Sequence, residues 1–339
     1  MIDKLNVICL GVDIGTGHIC CARSDSDEIR ITKNVFLEVD KDDIPTIADI
    51  SYVESDSGET YVVGTHAFEL ANMLGQKVSR PMEKGLISPK EINAIDVITL
   101  MIKDLIGETK DKEVYVSFSV PAAAIDDDRS IIYHENVFGR IFNKLGVNHT
   151  AVNEAMAIIY SECAKEKFTS VAISFGAGMS NCTIGFNGME ILKFSTARAG
   201  DWIDQQVAAD LNMVANRVTS KKEKYMKLKG EVDVKNKKDR RILEALYYYH
   251  KALIDYTIKN IIAEFDNKVD IELEDPIPIV ISGGTSLPPG FVSLFEQIIM
   301  QKELPFEISE VRRARNPLTA VANGLLVRTM SDVKTMGER

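Results

Sequence analysis

Two stretches, Gly11-Val-Asp-Ile-Gly-Thr-Gly-His18 and Ala172-Ile-Ser-Phe-Gly-Ala-Gly-Met179, decide how this chain reads. Side by side they keep one offset of 161 residues, so Gly15 falls on Gly176 and Gly17 on Gly178. Each follows a short apolar run, and each leads into a second strand-like run. One glycine pair alone is a weak signal, because a tight hairpin needs glycine for conformational freedom anyway. Two matched copies, one per half, point to an internal repeat. Glycines at a strand-to-strand turn let the backbone approach a ligand and aim several N–H groups at one point, which makes an anion nest. Two nests, one from each half, would grip the phosphates of a nucleotide from both sides. A dinucleotide-binding loop is a poorer fit, since its glycines open a helix, whereas Ile19-Cys-Cys-Ala22 reads as strand. No GK[ST] follows either, so a Walker loop is excluded. Asp13 lies inside the first turn. A carboxylate beside phosphate-binding amides makes sense when a divalent cation intervenes, Mg²⁺ held through water; the plainer reading is an aspartate that stabilises the turn.

The rest of the composition bounds the answer. A chain of 339 residues with 45% apolar and 27% charged residues has the make-up of an ordinary globular protein of about two domains. Its 40 basic and 50 acidic residues give −10, which argues against a sequence-wide nucleic-acid binder. Five cysteines without CxxC spacing give neither a disulfide framework nor a zinc site, and a reducing, cytoplasmic compartment is expected. Five scattered histidines offer no pair at metal-ligand spacing. No apolar run reaches the roughly 20 residues of a membrane span, and the segment before Val7 has no signal-peptide pattern; membrane contact through a few exposed residues stays open.

Along the chain, Val7–Leu10, Ile19–Ala22, Ile50–Val53, Tyr61–Val63 and Val114–Val120 read as strands, with a turn at Ser57-Gly58. Ser88, Pro89 and Glu91 have the pattern of a helix start, placing Ile92, Ile95, Ile98, Ile102 and Leu105 on one face. A second helix is expected from about Asp126 to Gly146. Further on, Val171–Phe175, Cys182–Phe186 and Ile277–Ile281 read as strands, and Leu243–Phe265 and Leu318–Val327 as helices. Strands alternating with long helices indicate an α/β architecture. Residues 221–241 hold ten basic and four acidic residues; the plainer reading is a solvated face, the sharper one a contact surface for an acidic partner. Trp202 and Tyr247-Tyr248-Tyr249 read as core or subunit-contact aromatics.

In this order, the motifs resemble those of the actin, heat-shock chaperone and sugar-kinase superfamily, over essentially the whole chain. Gly11–His18 resembles its first phosphate motif and Ile173–Asn181 its second. Ser119-Val-Pro-Ala-Ala-Ala-Ile-Asp-Asp-Asp-Arg129 with Asn153-Glu-Ala-Met-Ala157 resembles the first connecting segment, and Asn316–Gly324 the second. Val280-Ile-Ser-Gly-Gly-Thr-Ser-Leu287 resembles the adenosine motif, and Gly200-Asp-Trp-Ile-Asp204 is similar to a Gly-Asp-x-Phe-Asp signature. Val63–Ala67, Pro81–Ile87 and Asn316–Thr319 are most similar to prokaryotic actins of the MreB and MamK kind.

The resemblance implies a two-lobed, ribonuclease H-like duplicated α/β fold with a nucleotide cleft. It implies a first lobe over residues 1–150, with a subdomain at about 34–79, and a second lobe over 151–317, with a subdomain at about 201–275. Residues 318–339 would form a helix packing back on the first lobe. It further implies that ATP or ADP with Mg²⁺ is bound by Asp13, Gly15, Thr16, Gly17 and His18 on one side. Ser174, Gly176, Ala177 and Gly178 would serve on the other, with Asp13 on the metal side through water. Gly283, Gly284 and Thr285 would approach the adenosine, and Lys222 and Glu223 would flank base and ribose. Asp128 aligns with the residue that orients the attacking water; the plainer reading makes Asp126–Asp128 a helix N-terminal acidic cluster. Ser174, Met179 and Asn181 stand where relatives carry aspartate, threonine and an acid. A hydroxyl is a weaker acceptor than a carboxylate, so binding should persist with slow ATP hydrolysis. The function implied is an ATP-binding, self-assembling filament protein with an unknown cargo or adaptor. The alternatives are a non-polymerising nucleotide-dependent switch or a small-metabolite kinase, which would need a base to accept a hydroxyl proton.

Overall fold

The computed structural model describes the chain except residues 1–5, 45–49, 51, 56–57, 110, 230–235, 272, 274 and 339, and Asn72 in its backbone only. Ser51, Ser57 and, in the charge-biased stretch, Glu231, Asp233 and Lys235 therefore lie outside the described residues. The chain divides into two compact units: Met1–Val120, Ser130–Ala157 and Val321–Arg339 in the first, Pro121–Arg129 and Ile158–Ala320 in the second.

The first unit opens with β1 (Val7–Ile14), β2 (His18–Arg23), β3 (Ser26–Lys33), β4 (Phe36–Val39), β5 (Tyr52–Glu54) and β6 (Thr60–Val63). It continues with α1 (Thr65–Leu74), β7 (Met82–Glu83), β8 (Leu86–Ile87), α2 (Ala94–Ile106), β9 (Glu113–Val120), α3 (Ile131–Lys144) and β10 (Asn148–Asn153). The unit boundary falls within α4 (Glu154–Glu162). Next come β11 (Ser170–Phe175), β12 (Ser180–Phe186), β13 (Met189–Thr196), α5 (Gly200–Asp210), α6 (Ala215–Tyr225) and α7 (Lys237–Lys268). The chain closes with β14 (Ile277–Ser282), α8 (Phe291–Ile299), β15 (Ile308–Arg313) and α9 (Ala320–Gly337), most of which belongs to the first unit.

Each unit is built on a five-stranded sheet, in the order β3-β2-β1-β9-β10 in the first and β13-β12-β11-β14-β15 in the second. The pairings match step for step: two antiparallel, then two parallel. The register matches too. Ile14 faces Ile19 and Asp13 faces Cys20, and 161 residues later Phe175 faces Ser180 and Ser174 faces Asn181. The repeat expected from two glycine turns is a duplication of the whole sheet.

In the first unit, alternation along β1 and β2 sorts side chains between the two faces of the sheet. Ile8, Leu10, Val12 and Ile14 meet Ile98 and Ile102 of α2 and Phe138 and Phe142 of α3 in one core. Cys20 and Ala22 point the other way and meet Ala322 of α9. Gly11 shares that second face, and a Cβ there would stand 2.2 Å from the Ala322 carbonyl oxygen. The absence of a side chain at Gly11 is what lets α9 lie down on β1. Thr329 of α9 anchors it further, donating to the Leu10 carbonyl at 2.8 Å and receiving the Ser117 N–H at 2.9 Å.

The second unit's core gathers Val171, Ile173 and Phe175 of β11 with Phe291 and Phe295 of α8 and the inner stripe of α7. That stripe, Ile242, Leu246, His250, Leu253, Thr257, Ile261 and Phe265, recurs every three or four residues and is buried throughout, as an amphipathic helix requires.

Two helix starts differ from expectation. The first begins at Ala94 rather than Ser88. Ser88 is tied by its N–H to the Pro81 carbonyl, closing the β7–β8 hairpin, so it cannot cap a helix; Ile92 is consequently exposed. The second begins at Ile131, capped by Ser130, whose Oγ accepts from the Ile132 N–H at 3.2 Å. Asp126–Asp128 thus precede the helix and hold no place in its first turn. This corrects the reading of them as a helix N-terminal cluster.

Candidate functional site

The first glycine turn joins β1 to β2. The Gly15 N–H donates to the His18 carbonyl at 3.0 Å, and the Gly15 carbonyl receives the Asn34 side-chain amide at 2.9 Å. Gly15 and Gly17 lie outside the left-handed region; their value here is space, because a Cβ on Gly15 would stand 3.0 Å from the His18 oxygen. Thr16 is buried, and its Oγ1 accepts the Gly85 N–H at 2.9 Å. This bond seats the tip of the β7–β8 hairpin, where Lys84 and Gly85 both take positive φ, on the glycine turn. The N–H groups of Thr16 and Gly17 have no acceptor among the described residues. His18 leaves the turn on β2 and lines a depression of about 340 Å³ with Lys33, Thr65 and His66.

Asp13 sits one residue before the end of β1, where its Oδ1 accepts from the Ser119 hydroxyl at 2.8 Å. The same Ser119 oxygen accepts the Ile14 N–H at 2.8 Å, which fixes its hydrogen toward the carboxylate. Burial pushes the Asp13 carboxyl up to about 6, with the Ser119 hydrogen bond opposing it. A carboxylate so poor in solvent gains from a cation beside it. Among the described residues no group of three histidine, cysteine or acidic side chains could enclose a metal. Asp13 therefore fits Mg²⁺ in the mode that uses one carboxylate, water and ligand oxygens.

The second turn, between β11 and β12, repeats the first: the Gly176 N–H donates to the Met179 carbonyl at 3.0 Å, and the Ala177 and Gly178 N–H groups have no acceptor among the described residues. A Cβ on Gly176 would come within 2.8 Å of the Met179 oxygen. The turn's carbonyls face α5. Gly176 accepts the Gly200 N–H at 3.1 Å and the Thr285 hydroxyl at 2.7 Å, and Ala177 accepts the Asp201 N–H at 2.8 Å. Two of the N–H groups that every helix N-terminus leaves over are thereby satisfied by the turn. With the carbonyls held on one side, the free amides are turned from that side.

Lys222 on α6 completes this arrangement. Its ammonium donates to the Gly200 carbonyl at 3.0 Å and to Asp204 Oδ2 at 2.8 Å. Asp204 is 3% exposed and also receives the Thr219 hydroxyl at 2.7 Å; burial raises its carboxyl, and Lys222 restrains it. Lys222 is thus committed to α5, while Glu223 faces solvent. Gly283, with φ +89°, passes so close to β11 that a Cβ would stand 2.3 Å from the Phe175 oxygen. Gly284 is spacious by comparison.

Ser174 is buried at the position equivalent to Asp13. Its cross-strand neighbour Asn181 is buried as well and accepts the Ala122 N–H at 3.2 Å. The serine equivalent to Ser119 is Ser282, which donates to the Pro317 carbonyl. The second unit therefore copies the strand geometry without copying the carboxylate.

Segment 121–129 is pinned to the second unit by its backbone and by two of its three aspartates. Ser195 donates through Oγ to the Ala122 carbonyl at 2.8 Å, and Ile125 donates to the Ser195 carbonyl at 2.9 Å. Asp126 accepts the Ala197 N–H at 2.7 Å and the Tyr256 hydroxyl at 3.2 Å. Asp127 is taken by Arg129 at 2.8 Å. Asp128 is exposed and has no hydrogen bond or ion pair among the described residues.

The structure thus joins Gly176, Ala177, Thr285 and Lys222 through Gly200 in the second unit, and Asp13, Gly15 and Thr16 in the first. Sequence reasoning named the turns but not the roles of their supports: Ser119, Asn34 and Gly85 in the first, Asp204, Ser195 and Asn181 in the second. Of these, only Asp204 carried a signal, as the last residue of Gly200–Asp204. Tyr249 and Trp202 meet edge to face at 5.6 Å, while Tyr248 is exposed. Among the described residues no helix is long and apolar enough to cross a membrane.

No curated protein matches the chain. Among solved structures, the MamK double helical filament is 19% identical, with a TM-score of 0.70 over 98% of this chain and 99% of that one. MreB5 of Spiroplasma citri bound to ADP is 13% identical, with a TM-score of 0.67 over 98% and 99%. The ethanolamine utilization protein EutJ from Carboxydothermus hydrogenoformans is 14% identical, with a TM-score of 0.54 over 94% and 89%. At these identities the likeness establishes the fold, which is actin-like. The Volactin family model matches residues 8–329, nearly the whole length, and the chain belongs to the volactin family.

Proposed function

We propose that the chain binds ATP with Mg²⁺, assembles with copies of itself into filaments, and hydrolyses the nucleotide slowly. The observation that carries nucleotide binding is the matched pair of glycine turns, each presenting two N–H groups without a protein acceptor. Backbone amides held in that way suit phosphate oxygens. The Thr16 hydroxyl, already accepting from Gly85, keeps its hydrogen to donate. Mg²⁺ would supply charge neutralisation between Asp13 and the phosphates. Asp128 is the group that orients the attacking water: of the three neighbouring aspartates it alone is uncommitted, and the pinned segment carries it as a fixed arm. Ser174 provides a hydroxyl where a carboxylate would hold water more firmly, hence slow turnover.

The solved structures support this reading by what they contain, ADP in MreB5 and a filament in MamK. A second reading, a nucleotide-dependent switch on the same fold that does not polymerise, is favoured by the loss of acids at Ser174 and Asn181. High-speed pelleting with negative-stain microscopy, with and without ATP and Mg²⁺, separates the two. Nucleotide-dependent filaments support the first reading, and a folded, ATP-binding chain that never sediments establishes the second.

A further inference from the structure

We infer that copies of this chain contact one another through complementary charge, the basic ridge at the α6–α7 junction of one copy meeting the acidic rim of the β4–β5–β6 sheet of another. The ridge is an ordered display. Met226 and Leu228 are buried, and the Leu228 N–H is fixed to the Pro289 carbonyl at 2.7 Å, so the alternating Lys227 and Lys229 are held out into solvent. Lys237, Lys238 and Arg240 follow at the start of α7. These five, with Lys224, are exposed and have no carboxylate partner among the described residues, whereas Lys221 and Lys222 are paired to Asp239 and Asp204.

Cations in the first turn of a helix oppose its dipole. A 32-residue helix that opens with Lys237-Lys238-Asp239-Arg240-Arg241 therefore carries an electrostatic cost that the fold does not relieve. Such a conflict between local preference and fold is expected where a surface has another task. Relief needs an anionic surface, and the chain itself has one. Residues 34–79 hold nine carboxylates against two lysines. Asp40, Asp42 and Asp43 are exposed without a cationic partner among the described residues, while Lys41 is taken by Glu54 at 2.6 Å. Outside residues 221–241 the chain carries −16, which would repel a polyanion such as nucleic acid or an anionic membrane beyond the ridge itself. A second copy presents the complementary patch instead.

The test is reciprocal charge reversal in the full chain. One variant carries Lys227→Glu, Lys229→Glu and Lys237→Glu. The last of these improves the α7 dipole, so loss of folding is not the expected result. The other variant carries Asp40→Lys, Asp42→Lys and Asp43→Lys; Asp40 makes no capping bond that would be lost. Association is followed by sedimentation velocity in low salt, with and without Mg-ATP. Each variant alone should associate at least tenfold more weakly than the parent, and an equimolar mixture should recover. Zero-length carbodiimide coupling of light and heavy isotope-labelled chains should join Lys227 or Lys229 to Asp40, Asp42 or Asp43 between copies. Association unchanged by reversal, failure of the mixture to recover, or a parent that stays monomeric would each overturn the proposal. So would a reversal that abolishes binding to single-stranded DNA or to phosphatidylglycerol vesicles while leaving self-association intact. Because nucleotide uptake is measured separately, failure here leaves the proposed nucleotide site standing.

Discussion

Replacing Lys222 by methionine should destabilise the second unit by about 3–5 kcal/mol at neutral pH, and the deficit should shrink as the pH falls. Lys222 and Asp204 are 2.8 Å apart, with side chains 12% and 3% exposed. Methionine fills much of the same volume but leaves Asp204 with the Thr219 hydroxyl alone on Oδ2 and with Oδ1 unpartnered, as it already is among the described residues. Removing one member of a buried ion pair costs about 3–5 kcal/mol because the other charge stays buried. Protonation sets a ceiling. If Asp204 takes up a proton in the folded variant while the unfolded chain ionises near 4, holding that proton at pH 7 costs about 4 kcal/mol, at about 1.36 kcal/mol per unit. A folded-state value raised above the unfolded one removes stability above the unfolded value. Between pH 5 and 7.5 the deficit should therefore grow by about 1.4 kcal/mol per unit. Trp202, the chain's one tryptophan, lies on α5 beside the pair, so its fluorescence in urea follows the right unit. Lys222→Met combined with Asp204→Asn should recover most of the loss. A deficit under about 1 kcal/mol, or one independent of pH, would refute the reasoning.

Three further outcomes follow. Gly283→Ala should cost about 2–5 kcal/mol in urea titration, since an alanine there needs a left-handed backbone and a Cβ 2.3 Å from the Phe175 oxygen. Asp13→Asn in metal-free solution should match the parent near pH 4 and exceed its stability by about 1–3 kcal/mol at pH 7.5. The folded parent binds a proton up to about pH 6 that the unfolded chain releases near 4, and the variant has no such proton to lose; urea titration at both pH values checks it. Ser174→Asp should raise the rate of phosphate release from ATP, and no rise at all would remove the basis for attributing slow turnover to that serine.

How much of this was legible beforehand depended on the kind of signal. The glycine turns were visible because apolar runs and glycines stand at fixed spacing, and the same spacing carried the duplicated sheet. Strands such as Asn148–Asn153 and Ile308–Arg313 carry polar residues at the edge of a sheet, where β pattern is weak, and they escaped notice. The Ser88 start misled because a capping pattern is local, while the bond from Ser88 to Pro81 is made by a hairpin that the pattern does not contain. At the site, Asp13 and Asp128 could be singled out by type and position. That Asp126 and Asp127 are spent on Ala197, Tyr256 and Arg129 could not, because two of those partners lie about 70 and 130 residues away. Ser119 was equally hidden, as a serine in a strand has many uses and only the register of β1 against β9 sets it beside the carboxylate.

The most direct measurement is calorimetric titration of the full chain with ATP and ADP in the presence of magnesium, repeated on Gly17→Pro and Ala177→Pro, each of which removes one of the unengaged N–H groups. The account predicts one nucleotide per chain and at least a tenfold loss of affinity from either substitution, with circular dichroism unchanged. Uptake of no purine nucleotide by the folded parent, or a substitution in either turn that leaves affinity as it was, would contradict it.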